Sequence, residues 1–146
     1  MIYTQMTKKA LKISFEAHKD QVDKTGLPYV FHPFHLAEQM EDEATTCVAL
    51  LHDVVEDTDM TFEELEKEGF SAIIIDALKL LTHDDDMPYM DYVTRLKENS
   101  VAKAVKKADL MHNSDLSRLD VVSEADIERR EKYIKALEIL ECQNKE

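Results

Sequence analysis

The chain has 146 residues, of which 44% are hydrophobic and 34% are charged, and this suits one domain with an apolar core. Its 31 acidic residues outnumber 18 basic ones, for a formal net charge of −13. A surface of that sign repels phosphate backbones, so the composition disfavours nucleic acid as a main partner. With only 2 Gly and 3 Pro, the chain also lacks the turn residues of a many-stranded all-β fold.

No feature of the sequence points to a membrane or to secretion. The longest uninterrupted apolar run extends only from Cys47 to Leu51, whereas a membrane span needs about 18 such residues. The amino-terminal segment has no apolar core of the kind found in signal peptides. Cys47 and Cys142 are too far apart in sequence to indicate a disulfide framework or a thiolate metal site. We therefore expect a cytoplasmic protein.

Apolar residues recur with helical spacing along almost the whole chain. Phe15 and Val22 lie on one stripe of the first predicted helix, and Ile127 and Leu140 of the last helix are expected to face the core. A capping box at Thr61, candidate caps at Ser100 and Ser123, and several prolines and glycines mark helix ends. We predict an all-α fold that forms a single domain over residues 1–146. The predicted helices span, in chain order, 4–24, 33–40, 44–57, 61–69, 71–82, 88–97, 100–119 and 124–141.

The most informative segment is His52-Asp53-Val54-Val55-Glu56-Asp57. On a helix, its imidazole and three carboxylates share less than half of the circumference, while the apolar residues occupy the other side. A solvated acidic face is one interpretation of this pattern. However, the segment directly follows the most apolar run of the chain, and neighbouring carboxylates repel one another unless a cation neutralises them.

A second anomaly lies in the predicted helix 100–119, where an aspartate interrupts an apolar seam. Asp109 would cost several kcal/mol there unless it is paired or bound to a metal. A buried ion pair with Lys106 or Arg118 would explain it. A cation held jointly with the His52-Asp53 pair would explain both anomalies at once.

Two histidines around Pro33 could complete such a site. His32 directly precedes a helix that is expected to begin at the proline, and His35 lies one turn further on. Either residue alone is more typical of a packed or surface histidine than of a ligand. Two imidazoles and two carboxylates would form a mixed nitrogen and oxygen site suited to Mn²⁺, Fe²⁺, Zn²⁺ or Mg²⁺. The spacing does not choose between His32 and His35.

Three blocks of the sequence together resemble a known family. They are Gly26-Leu-Pro-Tyr-Val-Phe-His-Pro33, Ala49-Leu-Leu-His-Asp-Val-Val-Glu-Asp-Thr58 and Lys107-Ala-Asp-Leu-Met-His-Asn113. Their ordered H…HD…D pattern is that of the HD superfamily of metal-dependent phosphohydrolases. The flanking residues are similar to the hydrolase domain of RelA/SpoT-type proteins and to small stand-alone alarmone hydrolases. The resemblance extends over residues 17–119, and by contrast His83-Asp84 is expected to be a chance match.

The resemblance implies an all-helical fold, one bound divalent metal ion, most typically Mn²⁺, and hydrolysis of guanosine 3′,5′-bis(diphosphate) at its 3′ position with release of pyrophosphate. It selects His32 rather than His35 as a ligand. Glu56 and Asp57 would orient and deprotonate the attacking water, and both are expected to point into the same cleft. The metal ligands carried over by motif are His32, His52, Asp53 and Asp109.

The sequence departs from the family where the nucleotide would be held. The family usually carries an Arg-Lys pair before the glycine that precedes the Pro-Tyr step, and here that pair is Asp23-Lys24. We therefore expect phosphohydrolysis of a nucleotide-like phosphate or pyrophosphate ester with altered nucleotide contacts. The expected substrate contacts are Lys24, Lys106 or Lys107, Asn113 and Arg118.

Two other interpretations stay open at this point. An HD-fold protein could bind a nucleotide or partner without turnover, although such a regulator would not need the intact Glu56-Asp57 pair. In a purely structural interpretation, the acidic cluster is a solvated face and the last helix is a contact in a homodimer. That interpretation leaves Asp109 without an explanation.

Overall fold

The computed structural model describes residues 1–142, so the last four residues of the predicted domain lie outside the described part. These residues form helices joined by short turns, and the prediction of an all-α fold is confirmed. Within them, the only β-type pairing is an isolated bridge between Val22 and Pro28, and no helix is long and apolar enough to cross a membrane. The elements are α1 (Gln5–His18), α2 (Phe31–Glu38), α3 (Glu43–Leu51), α4 (Val54–Asp57), α5 (Phe62–Lys67), α6 (Ala72–Leu81), α7 (Tyr89–Leu96), α8 (Ser100–Asn113), a 3₁₀ turn (Leu116–Arg118) and α9 (Glu124–Glu141).

Helix α3 lies at the centre of the molecule. Every residue from Thr45 to Leu51 is buried, and the helix packs against α1, α2, α6 and α8. A helix that is apolar on all sides is stable only when other helices surround it. Because α3 ends at Leu51, the central helix places His52 and Asp53 directly in the interior.

Side-chain caps set the start of five helices. In each, an oxygen of the capping residue accepts the backbone N–H three residues further on, which satisfies a donor that the helix itself leaves unpaired. The predicted caps at Thr61 and Ser123 are confirmed. The cap of α8 is Asn99 instead of the predicted Ser100. The five capping residues are Thr4, Asp42, Thr61, Asn99 and Ser123.

The first helix ends earlier than predicted, at His18 instead of residue 24. The Asp23 carboxylate accepts the backbone N–H groups of Thr25 and Leu27, which stabilises a turn in place of further helix. Gly26 completes this turn with a φ of 83°, which favours glycine. As a result, Asp23 and its neighbours form a loop that lies close to the site described below.

The predicted helix 44–57 is interrupted after Leu51. Asp53 has φ −105° and ψ −1°, outside the regular helical range, and α4 is only four residues long. The predicted helix 100–119 likewise ends at Asn113, because the Asp115 side chain accepts the N–H of Ser117 and begins a 3₁₀ turn. Helix α2 begins at Phe31, so His32 lies inside its first turn instead of preceding it.

Three residues expected on core faces are instead exposed at the surface. The exposed fractions are 53% for Phe15, 65% for Val22 and 47% for Ile127, whereas Leu140 is fully buried as expected. Val22 lies in the loop after α1, so the helical stripe ends before it. Phe15 lines a surface cavity together with Phe31 and Phe34 of α2.

Candidate active site

Three separate segments bring the predicted ligands together. His32 comes from the first turn of α2, His52 and Asp53 from the break between α3 and α4, and Asp109 from the middle of α8. The close packing of α2 and α8 against α3 places all three segments side by side. We call these four residues the His/Asp cluster.

The distances within the His/Asp cluster are short. His32 Nε2 lies 2.8 Å from Asp109 Oδ1, and His52 Nε2 lies 3.6 Å from the same oxygen. The candidate ligand atoms of these three residues all lie within 4.8 Å of one another, and all three side chains are buried. Asp53 is outside that mutual set, but its Oδ2 lies 3.0 Å from His52 Nε2.

The orientation of His52 fits a bound cation. Its Nδ1 lies 2.7 Å from the carbonyl oxygen of Ala49 and donates to it, so Nε2 carries the lone pair of the neutral ring. That nitrogen is buried, has no hydrogen-bond partner and faces the carboxylates of Asp53 and Asp109. Acceptor atoms that converge in this way repel one another unless a cation lies between them. A donor set of imidazole nitrogen and carboxylate oxygen suits a divalent first-row metal.

Each member of the cluster is oriented by a further group, as ligands in metal sites usually are. Tyr29 donates its hydroxyl hydrogen to Asp53. His32 Nδ1 shares a hydrogen bond of 2.7 Å with His112 Nδ1, and the two rings are stacked. These contacts fix the orientation of the Asp53 carboxylate and of the His32 imidazole.

Asp109 is held by two residues of its own helix. Lys106 Nζ lies 3.1 Å from Oδ2, and Asn113 Nδ2 donates to Oδ1 at 3.0 Å. The ion pair between Lys106 and Asp109 that the sequence left open therefore exists. Asp109 forms it in addition to its contacts within the His/Asp cluster. The alternative partner, Arg118, pairs with Asp23 at 3.3 Å.

The electrostatics of the cluster keep its carboxylates ionised. Burial alone would raise the pKa of Asp53, but the His52 imidazole and the Tyr29 hydroxyl lower it to about 2. Burial would also raise the pKa of Asp109, yet Lys106 and the histidines hold it well below its usual value. For His52, burial lowers the pKa, and the two carboxylates outweigh this and raise it, so without a metal ion a proton on Nε2 supplies the positive charge between them. The cluster therefore attracts positive charge.

Two cavities meet at the cluster. The larger cavity has a volume of about 440 Å³ and is lined by residues that include Lys24 and Arg118. The smaller cavity has a volume of about 230 Å³ and is lined by residues that include Lys106 and Lys132. The residues that line both cavities are Asp53, Asp109, Asn113 and Tyr133.

Comparison with known proteins identifies the family. No family model matches the chain. A guanosine-3′,5′-bis(diphosphate) 3′-pyrophosphohydrolase MESH1 from Danio rerio is 34% identical over 129 residues, which cover 79% of this chain and 71% of that protein. The corresponding MESH1 of Xenopus tropicalis is 35% identical over 124 residues, which cover 75% and 69%. The chain belongs to the MESH1 family of RelA/SpoT-type hydrolases.

A larger relative and a solved structure agree with this assignment. The bifunctional (p)ppGpp synthase/hydrolase SpoT of Escherichia coli is 31% identical over 96 residues, which cover 63% of this chain and 14% of that protein. A solved structure of a metazoan ortholog of SpoT that hydrolyses ppGpp superposes with a TM-score of 0.71 at 27% identity, over 96% of this chain and 85% of that one. The predictions of an HD-superfamily fold and of a phosphohydrolase enzyme are confirmed, and an HD-type hydrolase implies a divalent metal.

The acidic pair Glu56 and Asp57, which follows the His52-Asp53 step, does not share one cavity. Glu56 lines the smaller cavity, whereas Asp57 lines the larger one, so the expectation of a common cleft is wrong. The two residues are adjacent in α4, and neighbouring side chains on a helix point about 100° apart, which directs the two carboxylates to different cavities. Glu56 Oε1 accepts the backbone N–H of His83 at 2.9 Å. Partial burial, with Asp53 nearby, raises the pKa of both carboxyls.

The predicted substrate contacts fall into two groups. Lys24 and Arg118 line the larger cavity, and Asn113 lines both cavities. Lys107 lines neither, because it points towards α9, where its Nζ lies 3.8 Å from Glu141. Of the two lysines considered in α8, the structure thus brings Lys106 to the site and leaves Lys107 away from it.

Several residues near the cluster were not predicted as site residues. Tyr29 stands inside one of the family blocks, so its position offered a signal. The sequence around Lys132 gave no such signal, because the orientation of α9 depends on its packing against α7 and α8. His83 was set aside as part of a chance His-Asp pair, yet its N–H holds Glu56 and its ring stacks on Tyr92.

Proposed function

We propose that this chain hydrolyses guanosine 3′,5′-bis(diphosphate), or a close relative of that nucleotide, at the 3′ diphosphate, and that the His/Asp cluster is its active centre. The observation that carries the proposal is the buried lone pair of His52, which faces two carboxylates where two lysine-lined cavities meet. The activity for which the MESH1 relatives are named supports the choice of substrate.

The metal in this proposal is Mn²⁺, held by His32, His52, Asp53 and Asp109. Such a mixed set of nitrogen and oxygen donors supports that choice. When bound, the ion supplies Lewis-acid chemistry, because it lowers the pKa of a water molecule and withdraws charge from phosphoryl oxygens. Tyr29 and His112 keep the ligand side chains in place through the contacts described above.

Glu56 and Asp57 are the proposed proton-transfer groups. Their raised pKa values make each a better proton acceptor than an exposed carboxylate. The backbone N–H of His83 fixes Glu56, so this carboxylate is oriented before substrate arrives. In this role, Glu56 orients a water and takes its proton, and Asp57 acts on the opposite side of the cluster.

The nucleotide would occupy the larger cavity, where we propose contacts to Lys24, Asn113 and Arg118. Arg118 is fixed there by Asp23 at 3.3 Å and by the carbonyl oxygen of His112 at 3.0 Å. Asp23 stands where the family usually has an arginine, so the positive charge of that arginine is missing here. The Asp23 carboxylate instead orients the guanidinium group of Arg118. The proposed outcome is the same reaction with different contacts to the nucleotide.

The test is a phosphate-release screen on the purified chain loaded with Mn²⁺. We expect pyrophosphate from guanosine 3′,5′-bis(diphosphate) and none from guanosine 5′-triphosphate, which has no 3′ phosphate. Asp109→Asn should abolish both metal uptake and turnover, while the surface variant Asp20→Asn should keep both. If the metal-loaded chain releases no pyrophosphate from any 3′-diphosphorylated nucleotide, the proposal is wrong.

A further inference from the structure

We infer that the smaller cavity is a diphosphate-binding compartment, which holds the 3′ diphosphate of the substrate and the pyrophosphate product through Lys106 and Lys132. The inference rests on the proposed function, because it assigns the parts of one nucleotide to the two cavities. Its basis is the way the cavities differ in size and in charged residues on either side of the His/Asp cluster.

Size assigns the nucleoside to the larger cavity. Sites for drug-sized ligands usually have volumes of about 300–1,000 Å³. The larger cavity, at about 440 Å³, lies within that range, and the smaller one, at about 230 Å³, lies below it. A nucleoside with its 5′ phosphates therefore matches the larger cavity better, while a diphosphate group is compact enough for the smaller one.

Two ammonium groups from different helices line the smaller cavity. Lys106 of α8 keeps only 14% of its side chain exposed, and its Nζ lies over the rings of Tyr89 and Tyr92 at 5.8 and 5.4 Å from their centroids. Lys132 of α9 places its Nζ 4.0 Å from the centroid of the Tyr89 ring. The aromatic rings of α7 hold both ammonium groups beside the cavity. Lys106 Nζ also pairs with Asp109 Oδ2 at 3.1 Å, so a bound diphosphate would share this ammonium group with the carboxylate.

The direction of the reaction agrees with this assignment. Hydrolysis breaks the bond between the 3′ oxygen and phosphorus, forms a bond from the water oxygen to that phosphorus, and transfers a proton to the 3′ oxygen. The attacking and departing oxygens lie roughly in line across the phosphorus. With the ribose in the larger cavity, the water must approach from the smaller cavity, where Glu56 lies, while Asp57 stays on the side of the 3′ oxygen.

Charge adds a condition to the assignment. Glu56, Asp53 and Asp109 also border the smaller cavity, and their three negative charges exceed the two positive charges of Lys106 and Lys132. An anion enters such a space only when a divalent cation occupies the cluster. Pyrophosphate binding to this compartment should therefore depend on the metal.

The test compares the affinities of the two products by calorimetry. We expect Lys132→Met to weaken pyrophosphate binding to the Mn²⁺-loaded chain about tenfold, the loss typical of one charge-assisted contact, and to leave guanosine 5′-diphosphate binding unchanged. Lys24→Met should have the opposite selectivity. Lys135→Met, one turn further along α9 and lining neither cavity, is the matched control, and Lys132→Arg should restore pyrophosphate affinity. Excess Mn²⁺ in both solutions cancels the chelation of free metal by pyrophosphate.

The outcomes separate this inference from the proposed function. If pyrophosphate affinity is the same in Lys132→Met and in the wild type, or if both products weaken equally, the compartment does not exist, even where the chain is an active hydrolase. If pyrophosphate binding depends on Lys132 but no 3′-diphosphorylated nucleotide is hydrolysed, the compartment stands and the proposed reaction is wrong.

Discussion

The floor and the rim of the larger cavity are held together by different kinds of contact. At the floor, three members of the His/Asp cluster are buried and Asp53 is partly buried, and three separate segments converge there, each with its own supporting hydrogen bonds. At the rim, the charged residues are paired at or near the surface, as in Asp23 with Arg118 and Asp126 with Arg129. Buried groups that depend on one another cannot be changed singly without leaving an unpaired charge, whereas a surface ion pair contributes little and can be exchanged.

This difference explains why the family resemblance is uneven along the site. The cluster keeps the whole H…HD…D pattern, because each ligand needs the others. The rim differs from the Arg-Lys pair that the resemblance led us to expect, and its Asp23 carboxylate pairs with Arg118. Substitutions at the floor should therefore have large effects on the chemistry, and substitutions at the rim should have small ones.

After the loss of a metal ligand itself, the largest effect is expected for Glu56→Gln. The change keeps size and hydrogen bonding but removes the proton acceptor, so turnover should fall by about 10²–10⁴-fold while metal binding and fold are kept. Steady-state hydrolysis and metal titration on the same sample measure the two properties. Asp57→Asn should behave similarly or less severely.

The matched control for Glu56 is Glu63→Gln, an exposed residue of α5 that should change nothing. Full activity in Glu56→Gln would mean that the carboxylate is only a surface charge. The different placement of Glu56 and Asp57 would then have no catalytic meaning.

The next effect, about 10–100-fold in metal affinity, is expected for Tyr29→Phe. The ring remains and packs against His18 and His32, but Asp53 loses the hydroxyl that orients its carboxylate. Metal titration against Tyr3→Phe, a change at a side chain that is 63% exposed, gives the comparison. An unchanged metal affinity would restrict Tyr29 to a packing role and weaken the contrast between floor and rim.

The parts that the sequence predicted correctly are those encoded locally. Helical periodicity indicated an all-α fold, and the caps at Thr61 and Ser123 depend on residues three apart in the chain. The residue types of the cluster were also evident, because an aspartate in an apolar seam is anomalous without a structure. These features need no knowledge of which helices touch.

The parts that the sequence missed depend on contacts between distant segments. Glu56 and Asp57 line different cavities, and the smaller of these is formed only where residues of α7, α8 and α9 meet. Arg118 was considered as a partner of Asp109, but it pairs with Asp23, 95 residues away. Lys132 lines the smaller cavity only because α9 packs against α7 and α8.

The smallest effect is expected at the rim, for Asp23→Asn. In the folded chain, burial of Asp23 is outweighed by hydrogen bonds from Thr25 and Leu27 and by Arg118, so the pKa of this carboxyl is lowered. A carboxyl with a lowered folded pKa stabilises the fold above its unfolded pKa, and the contribution is lost as the pH falls through the folded value. The asparagine keeps an oxygen for the turn but loses the charge, so the free energy of unfolding should drop by about 0.5–1 kcal/mol at pH 7. Urea denaturation should show the difference between the variant and the wild type shrinking towards zero below pH of about 4, while Asp20→Asn shows no such difference at either pH. If Asp23→Asn lowers the free energy of unfolding by the same amount at neutral and at acidic pH, the neutral hydrogen bonds of the turn, and not the ion pair with Arg118, stabilise the rim.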